Sequence, residues 1–287
     1  MQTRIASSPT IASRRTQQIE RPCGPFVFDI WDAVQPSGAA PILLLHGWGG
    51  TGSYWEETAR FLAQTTQVIV PDLPGTGRSQ PVYRAQNMYD QVESIGVLLD
   101  ELGLDNVQIV GHSMGGAMAV LLTAQMPQRV ERLVLTSVTF FMTKAQENIY
   151  HEVMRFFKVS IRFRPDWLAS VPGVSNMMAK QYFHRLPSDK AVLQRGLRDY
   201  LELDGPTALA CAMNATDSKI LEAGEQVTAP TLMIVSRQDN MMPLENVEYT
   251  ADIIGDCQVR WIESCGHLPM VEKPATYQTY LRDFLNL

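Results

Sequence analysis

Several features are scarce or missing in this chain of 287 residues, and each absence narrows what the protein can be. The four cysteines are scattered, with no CxxC pair and no metal-like cluster, which favours reduced thiols in a cytoplasmic protein. No apolar run approaches the roughly 18 residues that span a membrane. Neither an internal repeat nor a low-complexity linker interrupts the chain. The net charge of -6 argues against nucleic acid or an anionic membrane as the main partner.

The N-terminal segment differs in composition from the rest. Its first 19 residues contain three arginines and no acidic residue, a composition that also fits an organelle presequence. The segment has no clear amphipathic face, however. We therefore expect residues 1–24 to form a flexible arm on a cytoplasmic protein. The following stretch, GPFVFDIWDAVQ, alternates partly between apolar and polar residues, as an antiparallel edge hairpin does.

The remaining chain alternates between strand and helix patterns. Short Val-, Ile- and Leu-rich runs bounded by turn residues predict strands buried on both faces, and helical spacing lies between them. The runs are APILLLHG (40–47), TQVIVPDLPG (66–75), NVQIVGH (106–112), RLVLTSV (132–138), PTLMIVS (230–236) and QVRWIES (258–264). This alternation predicts an α/β fold with a mostly parallel sheet between layers of helices.

The alternation stops between residues 139 and 226. This stretch has no convincing strand, is rich in Met, Phe, Trp and Tyr, and is predicted to form several helices inserted between two strands. The expected organisation is a core of residues 25–138 and 227–287 with a helical cap of residues 139–226. Such a cap lies over the carboxyl ends of the strands, where α/β sheets bind their ligands.

The stretch VGHSMGGAM (110–118) joins a predicted strand to a predicted helix through a serine between glycines. Gly111 and Gly115 occupy the positions where a side chain would collide in so tight a turn. The turn lifts the Ser113 hydroxyl above the sheet and sets the Met114 N–H at a helix N-terminus, where it stabilises negative charge. In this context the G-x-S-x-G pattern predicts a nucleophile.

Together with four other motifs, this stretch resembles the α/β-hydrolase fold superfamily, and within it the serine esterases that carry a helical cap. The motifs, in the family's order, are HGWGG (46–50), DLPGTGRS (72–79), GHSMGG (111–116), SRQDNMMP (236–243) and CGHLPMVEKP (265–274). The resemblance covers residues 25–287 and implies a mostly parallel, eight-stranded sheet. It also implies a small-molecule substrate and no metal or organic cofactor.

A serine nucleophile needs a base, and the base needs a carboxylate to fix its tautomer. Among the five histidines, His267 is the one well placed for the family's order of nucleophile, acid and base. Asp239 follows the strand TLMIVS at the point where the acid belongs. Asp252 and Asp256 lie on or after the next helix, where an exposed surface position is expected. The predicted triad is Ser113, Asp239 and His267.

The resemblance also suggests where the substrate's carbonyl and acyl group bind. The backbone N–H groups of Trp48 and Met114 are the predicted oxyanion donors, with the Trp48 ring as a wall of the acyl pocket. From the apolar cap sequence, Phe140, Phe141 and Met178 are further candidates for the pocket. Asp72 is predicted to hold its glycine-rich loop by local hydrogen bonds rather than to act in catalysis.

These motifs favour a serine hydrolase acting on a small or medium, largely apolar carboxylic ester or thioester. The same triad also serves relatives that hydrolyse C–C bonds or peptides, and the motifs around the serine do not separate these reactions. A protein that kept the fold for ligand binding and lost catalysis usually lacks a triad member, and none is missing here. The substrate, the oligomeric state and the residues of the cap that line the pocket stay open.

Overall fold

The computed structural model describes residues 12–287, which contain one eight-stranded sheet. The strands are β1 (Arg14–Arg21), β2 (Gly24–Trp31), β3 (Ile42–Leu45), β4 (Val68–Pro71), β5 (Val107–His112), β6 (Val130–Thr136), β7 (Thr231–Ser236) and β8 (Cys257–Ile262). Their order across the sheet is β1-β2-β4-β3-β5-β6-β7-β8. β2 runs antiparallel to both of its neighbours, and all other pairs are parallel. The predicted fold class is confirmed.

Helices connect the strands and cover the sheet. Outside the segment between β6 and β7, which contains α4 to α8 and is described below, they are α1 (Glu56–Leu62), α2 (Met88–Glu101), α3 (Met114–Gln125), α9 (Val247–Ile254), α10 (Pro269–Glu272) and α11 (Pro274–Leu285). α2 shows how the sequence sets a boundary. The Asn87 side chain accepts hydrogen bonds from the Tyr89 and Asp90 N–H groups, and Asp90 bonds back to the Asn87 N–H, a capping box that fixes the first turn.

The core lies on both faces of the sheet, as the continuous apolar runs predict. In β3, Leu43 and Leu45 pack into one hydrophobic cluster, while Ile42 and Leu44 pack into the other. Side chains alternate between the faces of a strand, so four consecutive apolar residues serve two separate layers of helices. α2 and α3 cover the first face, and α1 and α11 cover the second.

Between β6 and β7 the chain forms helices and no strand within the described residues. These are α4 (Lys144–Arg162), α5 (Val174–Ala179), α6 (Lys190–Glu202), α7 (Gly205–Met213) and α8 (Ser218–Glu225), with a short 3-10 helix at Asp166–Ser170. α8 packs on α3 of the sheet layer, and α5 packs on α6. We refer to residues 139–226 as the insertion. No helix within residues 12–287 combines the length and the apolar character that crossing a membrane requires.

The expectation of a flexible arm over residues 1–24 is wrong for its second half. Arg14–Arg21 form β1, which pairs antiparallel with β2 along its whole length and closes one edge of the sheet. Asp29 on β2 holds this edge strand, because its carboxylate pairs with the Arg14 guanidinium at 2.9 Å and accepts a hydrogen bond from the Thr16 hydroxyl. Residues 1–11, the remainder of the proposed arm or presequence, lie outside the described residues.

Candidate active site

Ser113 stands alone between β5 and α3 in a strained conformation. Its φ of 52° and ψ of -123° are uncommon for a residue with a side chain. A Cβ at Gly111 would lie 2.6 Å from the Gly115 oxygen, and a Cβ at Gly115 would lie 2.6 Å from the Leu45 oxygen. Both positions therefore require glycine, as the motif predicts. The chain turns sharply enough to present the Ser113 side chain to the cavity above the sheet.

His267 and Asp239 form a buried pair, and His267 lines the same cavity as Ser113. The Asp239 Oδ2 atom lies 2.8 Å from His267 Nδ1, and the two side chains are 0% and 4% exposed. Oδ1 accepts hydrogen bonds from the backbone N–H groups of Met241 and Met242 at 2.8 and 3.2 Å. Burial alone raises the pKa of Asp239, but His267 and these donors outweigh it and hold the pKa below its ordinary value. Asp239 is therefore ionised at neutral pH and oriented toward the imidazole.

The loop carrying His267 is fixed from the insertion as well as from the sheet. The His267 N–H donates to the Tyr182 carbonyl at 2.7 Å. The Glu272 carboxylate accepts from the backbone N–H groups of Gly266, His184 and Arg185 at 2.8, 3.1 and 2.7 Å. Sequence analysis missed Glu272, although its carboxylate joins the insertion to the His267 loop. No local motif signals a carboxylate that binds backbone 87 residues away.

The two predicted oxyanion donors belong to different segments of the chain. A Cβ at Gly47 would lie 3.1 Å from the Ser113 Cβ, so the loop after β3 packs directly against the turn that holds the serine. Trp48 is the next residue of that loop, and Met114 begins α3. Within residues 12–287, neither the Trp48 nor the Met114 N–H donates to another protein atom. The predicted oxyanion donors thus lie on the two segments that meet at Ser113.

A hydrogen-bond relay joins the three segments that carry the candidate residues. The Gly47 N–H donates to the Tyr54 hydroxyl, which lies 2.9 Å from His112 Nδ1. His112 Nε2 lies 2.9 Å from the His267 carbonyl, which can only accept, so the proton is on Nε2 and the Tyr54 hydroxyl donates to Nδ1. Burial and the neighbouring His267 lower the pKa of His112 to about 3, which keeps this imidazole neutral. Sequence analysis assigned no part in such a relay to His112 or Tyr54.

Ser113 and His267 line one cavity of about 410 Å³ between the sheet and the insertion. This volume is typical of small-molecule sites. The lining is mostly apolar by area, and its apolar and aromatic residues are Trp48, Tyr54, Met178, Ala179, Tyr182, Phe183, Val192, Leu193, Leu197, Tyr200, Met241, Leu268, Met270 and Val271. The Trp48 indole is held in place by its N–H, which donates to the Ala208 carbonyl at 2.8 Å, and by edge contact with Phe157.

Of the four predicted pocket residues, Trp48 and Met178 line the cavity, whereas the expectation that Phe140 and Phe141 also line it is wrong. Phe140 is only 4% exposed and packs in the core against α8, where a Cβ at Gly224 would lie 2.6 Å from its ring. Phe141 packs edge-on against Tyr150 of α4. The chain leaves β6 toward α8 and α9, so these two rings lie outside the cavity.

The other candidates singled out in the sequence have structural positions. Asp72 accepts hydrogen bonds from the Gly52 and Arg78 N–H groups and pairs with the Arg78 side chain at 2.7 Å, which holds its loop as predicted. Asp252 and Asp256 are exposed. Burial raises the pKa of the Cys265 thiol to about 11, so this cysteine stays protonated. In the described part of the chain, no group of three or more His, Cys, Asp or Glu residues is arranged to hold a metal ion.

Comparison with known proteins bears on the family and the fold of the chain. Residues 40–274 match the family model described as alpha/beta hydrolase fold. The chain is 26% identical over 260 residues to the monoacylglycerol lipase abhd6-A of Xenopus laevis, covering 88% of this chain and 77% of that protein. It is 28% identical over 273 residues to the 2-hydroxymuconate semialdehyde hydrolase of Pseudomonas sp. (strain CF600), covering 87% and 88%.

Among solved structures, a hydrolase from Pseudomonas aeruginosa PA01 superimposes with a TM-score of 0.79 at 19% identity, covering 95% of this chain and 98% of that one. This likeness shows the fold alone. The matched family model spans β3 to β8, the serine turn and the loops that carry Asp239 and His267. The chain therefore belongs to the α/β-hydrolase fold family.

Proposed function

We propose that the protein is a serine hydrolase that cleaves small or medium, largely apolar carboxylic esters or thioesters through an acyl-enzyme on Ser113. The observation that carries this proposal is the Asp239–His267 pair, with 2.8 Å between Oδ2 and Nδ1, in which His267 lines the same cavity as Ser113. A buried carboxylate oriented by backbone donors toward an imidazole, beside an accessible serine, is the arrangement that nucleophilic acyl transfer requires.

In the proposed reaction His267 takes the Ser113 proton as the hydroxyl oxygen attacks the substrate's carbonyl carbon. The backbone N–H groups of Trp48 and Met114 stabilise the oxyanion of the tetrahedral intermediate, and Asp239 stabilises the imidazolium. The intermediate collapses to the acyl-enzyme, and the proton on His267 passes to the departing alcohol or thiol. Water, deprotonated by His267, then hydrolyses the acyl-enzyme and returns the proton to Ser113.

The experiment that tests this function combines covalent labelling with a substrate screen. A fluorophosphonate probe is expected to label the protein stoichiometrically, and p-nitrophenyl esters and acyl thioesters are expected to turn over. Absence of both labelling and turnover would show that the serine is not an activated nucleophile. Amide substrates in the same screen test the peptidase alternative.

C–C bond hydrolysis is the second candidate, and the 28% identity to 2-hydroxymuconate semialdehyde hydrolase favours it. The same triad serves both reactions, so a dienone substrate with a cleavable C–C bond belongs in the screen. A kcat/KM for this substrate well above that for every ester would assign the protein to C–C hydrolysis instead.

Met178 provides a test of the acyl pocket. It lines the cavity from α5, and Met178→Ala removes a flexible apolar side chain from its wall. The wider cavity is expected to favour longer acyl groups, changing the C8-to-C4 ratio of kcat/KM by roughly 10-fold or more. The measurement is kcat/KM for C2 to C10 p-nitrophenyl esters. Phe141→Ala is the matched control, because Phe141 is apolar, lies in the insertion and does not line the cavity. Equal profiles in the Met178 variant and the wild type would contradict a pocket role.

Tyr54 is expected to act as a positioning residue. Tyr54→Phe leaves the Gly47 N–H and His112 Nδ1 without their partner, so the free energy of unfolding should fall by about 1–3 kcal/mol. Loss of the relay should also loosen the loop bearing Trp48 relative to Ser113 and lower kcat on the order of 10- to 100-fold. The readouts are kcat, KM and the denaturation midpoint.

The matched control for Tyr54 is Tyr280→Phe. The Tyr280 hydroxyl donates to the Trp261 carbonyl at 3.1 Å, on α11 and away from the cavity. A loss of kcat in the Tyr54 variant no larger than in the Tyr280 variant would assign the relay to stability alone.

A further inference from the structure

Among the described carboxylates that line the cavity, Asp199 is partly buried and has no cation beside it, whereas Glu57 is exposed. Asp199 lies on α6 and is partly buried. Its Oδ2 atom accepts hydrogen bonds from the Thr51 hydroxyl at 3.0 Å and the Ser53 hydroxyl at 3.2 Å. Among residues 12–287, no Lys, Arg or His nitrogen lies within 4.0 Å of this carboxylate, and its Oδ1 atom has no hydrogen-bond partner.

The two hydroxyl contacts involve only one of the two oxygen atoms of the Asp199 carboxylate. They tie α6 to the loop that follows Trp48, and for this they use Oδ2 alone. A partly buried carboxylate loses hydration, and without a cation or a full set of donors that loss is uncompensated. Burial accordingly raises the pKa of Asp199 above its ordinary value. Asp199 lines the cavity, and its Oδ1 is an acceptor that the described protein leaves free.

The charges around the cavity distinguish between the ligands that such an acceptor can take. Arg60 lines the cavity but pairs with Glu56 at 2.8 Å, and Arg195 and Glu57 are exposed. The remaining lining is mostly apolar, so the cavity combines an apolar wall with one strong acceptor. A fully ionic group on the substrate would lose its hydration against that apolar wall, whereas a neutral hydroxyl loses less.

We propose that Asp199, together with the Ser53 hydroxyl, forms a subsite that accepts a hydrogen bond from a hydroxyl group of the substrate. The favoured substrate is then an ester that carries a free hydroxyl as well as an apolar chain. This inference rests on the proposed hydrolase function, because Asp199 lines the cavity that holds Ser113.

The test compares pairs of substrates that differ only by a hydroxyl in place of a methyl group. On the alcohol side the pair is 2-hydroxyethyl butanoate and propyl butanoate. On the acyl side it is methyl 5-hydroxypentanoate and methyl hexanoate. A hydrogen bond to a charged acceptor should favour the hydroxylated member of one pair about 10- to 100-fold in kcat/KM. Asp199→Leu should bring that ratio close to 1. Since each ratio is measured on a single preparation, partial unfolding of a variant cancels.

Thr51→Val separates recognition from a structural tie. It removes one of the hydroxyl contacts to Oδ2 but changes no residue that lines the cavity. The variant should keep the hydroxyl preference. Loss of the preference in Thr51→Val as large as in Asp199→Leu would overturn the subsite, as would a preference that survives in Asp199→Leu. Equal values within each pair for the wild type would also overturn it.

Two further measurements distinguish a failure of the subsite from a failure of the hydrolase function, and a hydroxyl subsite from a cation site. Calorimetric binding of the same pairs to Ser113→Ala measures the preference without turnover, so a failure of the proposed hydrolase function does not hide a failure of the subsite. Butanoylcholine and its uncharged analogue 3,3-dimethylbutyl butanoate form a third pair. A preference for the cation without any preference for the hydroxyl would overturn the hydroxyl subsite in favour of a cation site.

Discussion

Ser113→Ala is expected to abolish turnover while the protein stays folded. Losing the nucleophile of a serine hydrolase typically removes on the order of 10⁶ in kcat, because the remaining oxyanion donors and the base cannot form the acyl-enzyme. The side chain lies at the cavity wall, and the mutation removes one hydroxyl from the end of a turn that Gly111 and Gly115 hold in place. The thermal midpoint should therefore change little. The measurements are kcat for a p-nitrophenyl ester and fluorophosphonate labelling, both of which should vanish.

Cys265 supplies the control for this result. Its thiol is fully buried, two residues from His267, with a pKa raised to about 11, so it should not react with the probe. Cys265→Ala is expected to label like the wild type. Labelling that persists in Ser113→Ala would identify another nucleophile and contradict the proposed mechanism.

The central features of the fold were predictable because the sequence patterns there are local and strong. Four consecutive apolar residues in β3 divide between two hydrophobic clusters, and only a strand covered on both faces does so. The turn at Ser113 is recognisable in the sequence because it requires glycines that no other residue can replace. Asp239 is recognisable because it lies in the loop just after the apolar β7, which ends at Ser236.

The features that sequence analysis missed or predicted wrongly depend on tertiary contacts, which local sequence patterns do not encode. Arg14–Arg21 is polar and mostly exposed, because an edge strand with one solvated face carries little hydrophobic signal. Phe140 is an aromatic residue of the kind that lines apolar pockets, but the path of the chain after β6 turns its side chain into the core. The Tyr54–His112 contact joins residues 58 positions apart, and no motif marks such a pair.

The position of Asp199 follows the same reasoning. The sequence of α6 has apolar, glycine and acidic residues at helical spacing, a pattern that predicts an amphipathic surface helix. Once α6 packs over Ser53, the residues on one side of the helix, from Val192 to Tyr200, face the cavity instead. In the proposed function, the insertion therefore contributes to the choice of substrate, whereas turns and strand ends of the sheet supply the chemistry.

Asp239→Asn is expected to lower kcat/KM by about 10⁴ while Ser113 and His267 stay in place. The amide oxygen can still accept from the Met241 and Met242 N–H groups, so the side chain should keep its orientation. Its NH2 group then faces His267 Nδ1 and favours the tautomer that carries the proton on Nε2. That tautomer cannot take the proton of Ser113, and the imidazolium loses its neighbouring negative charge.

Asp252→Asn is the matched control for the acid, because Asp252 is an exposed aspartate on α9, a short distance along the chain from Asp239. It should leave kcat/KM unchanged. Fluorophosphonate inactivation rates should follow kcat/KM, since both depend on the same activated hydroxyl. A loss below about tenfold in Asp239→Asn, or a comparable loss in Asp252→Asn or Asp256→Asn, would assign the acid elsewhere. A large loss confined to Asp239→Asn would instead require that the carboxylate acts on His267 Nδ1, the atom it contacts at 2.8 Å.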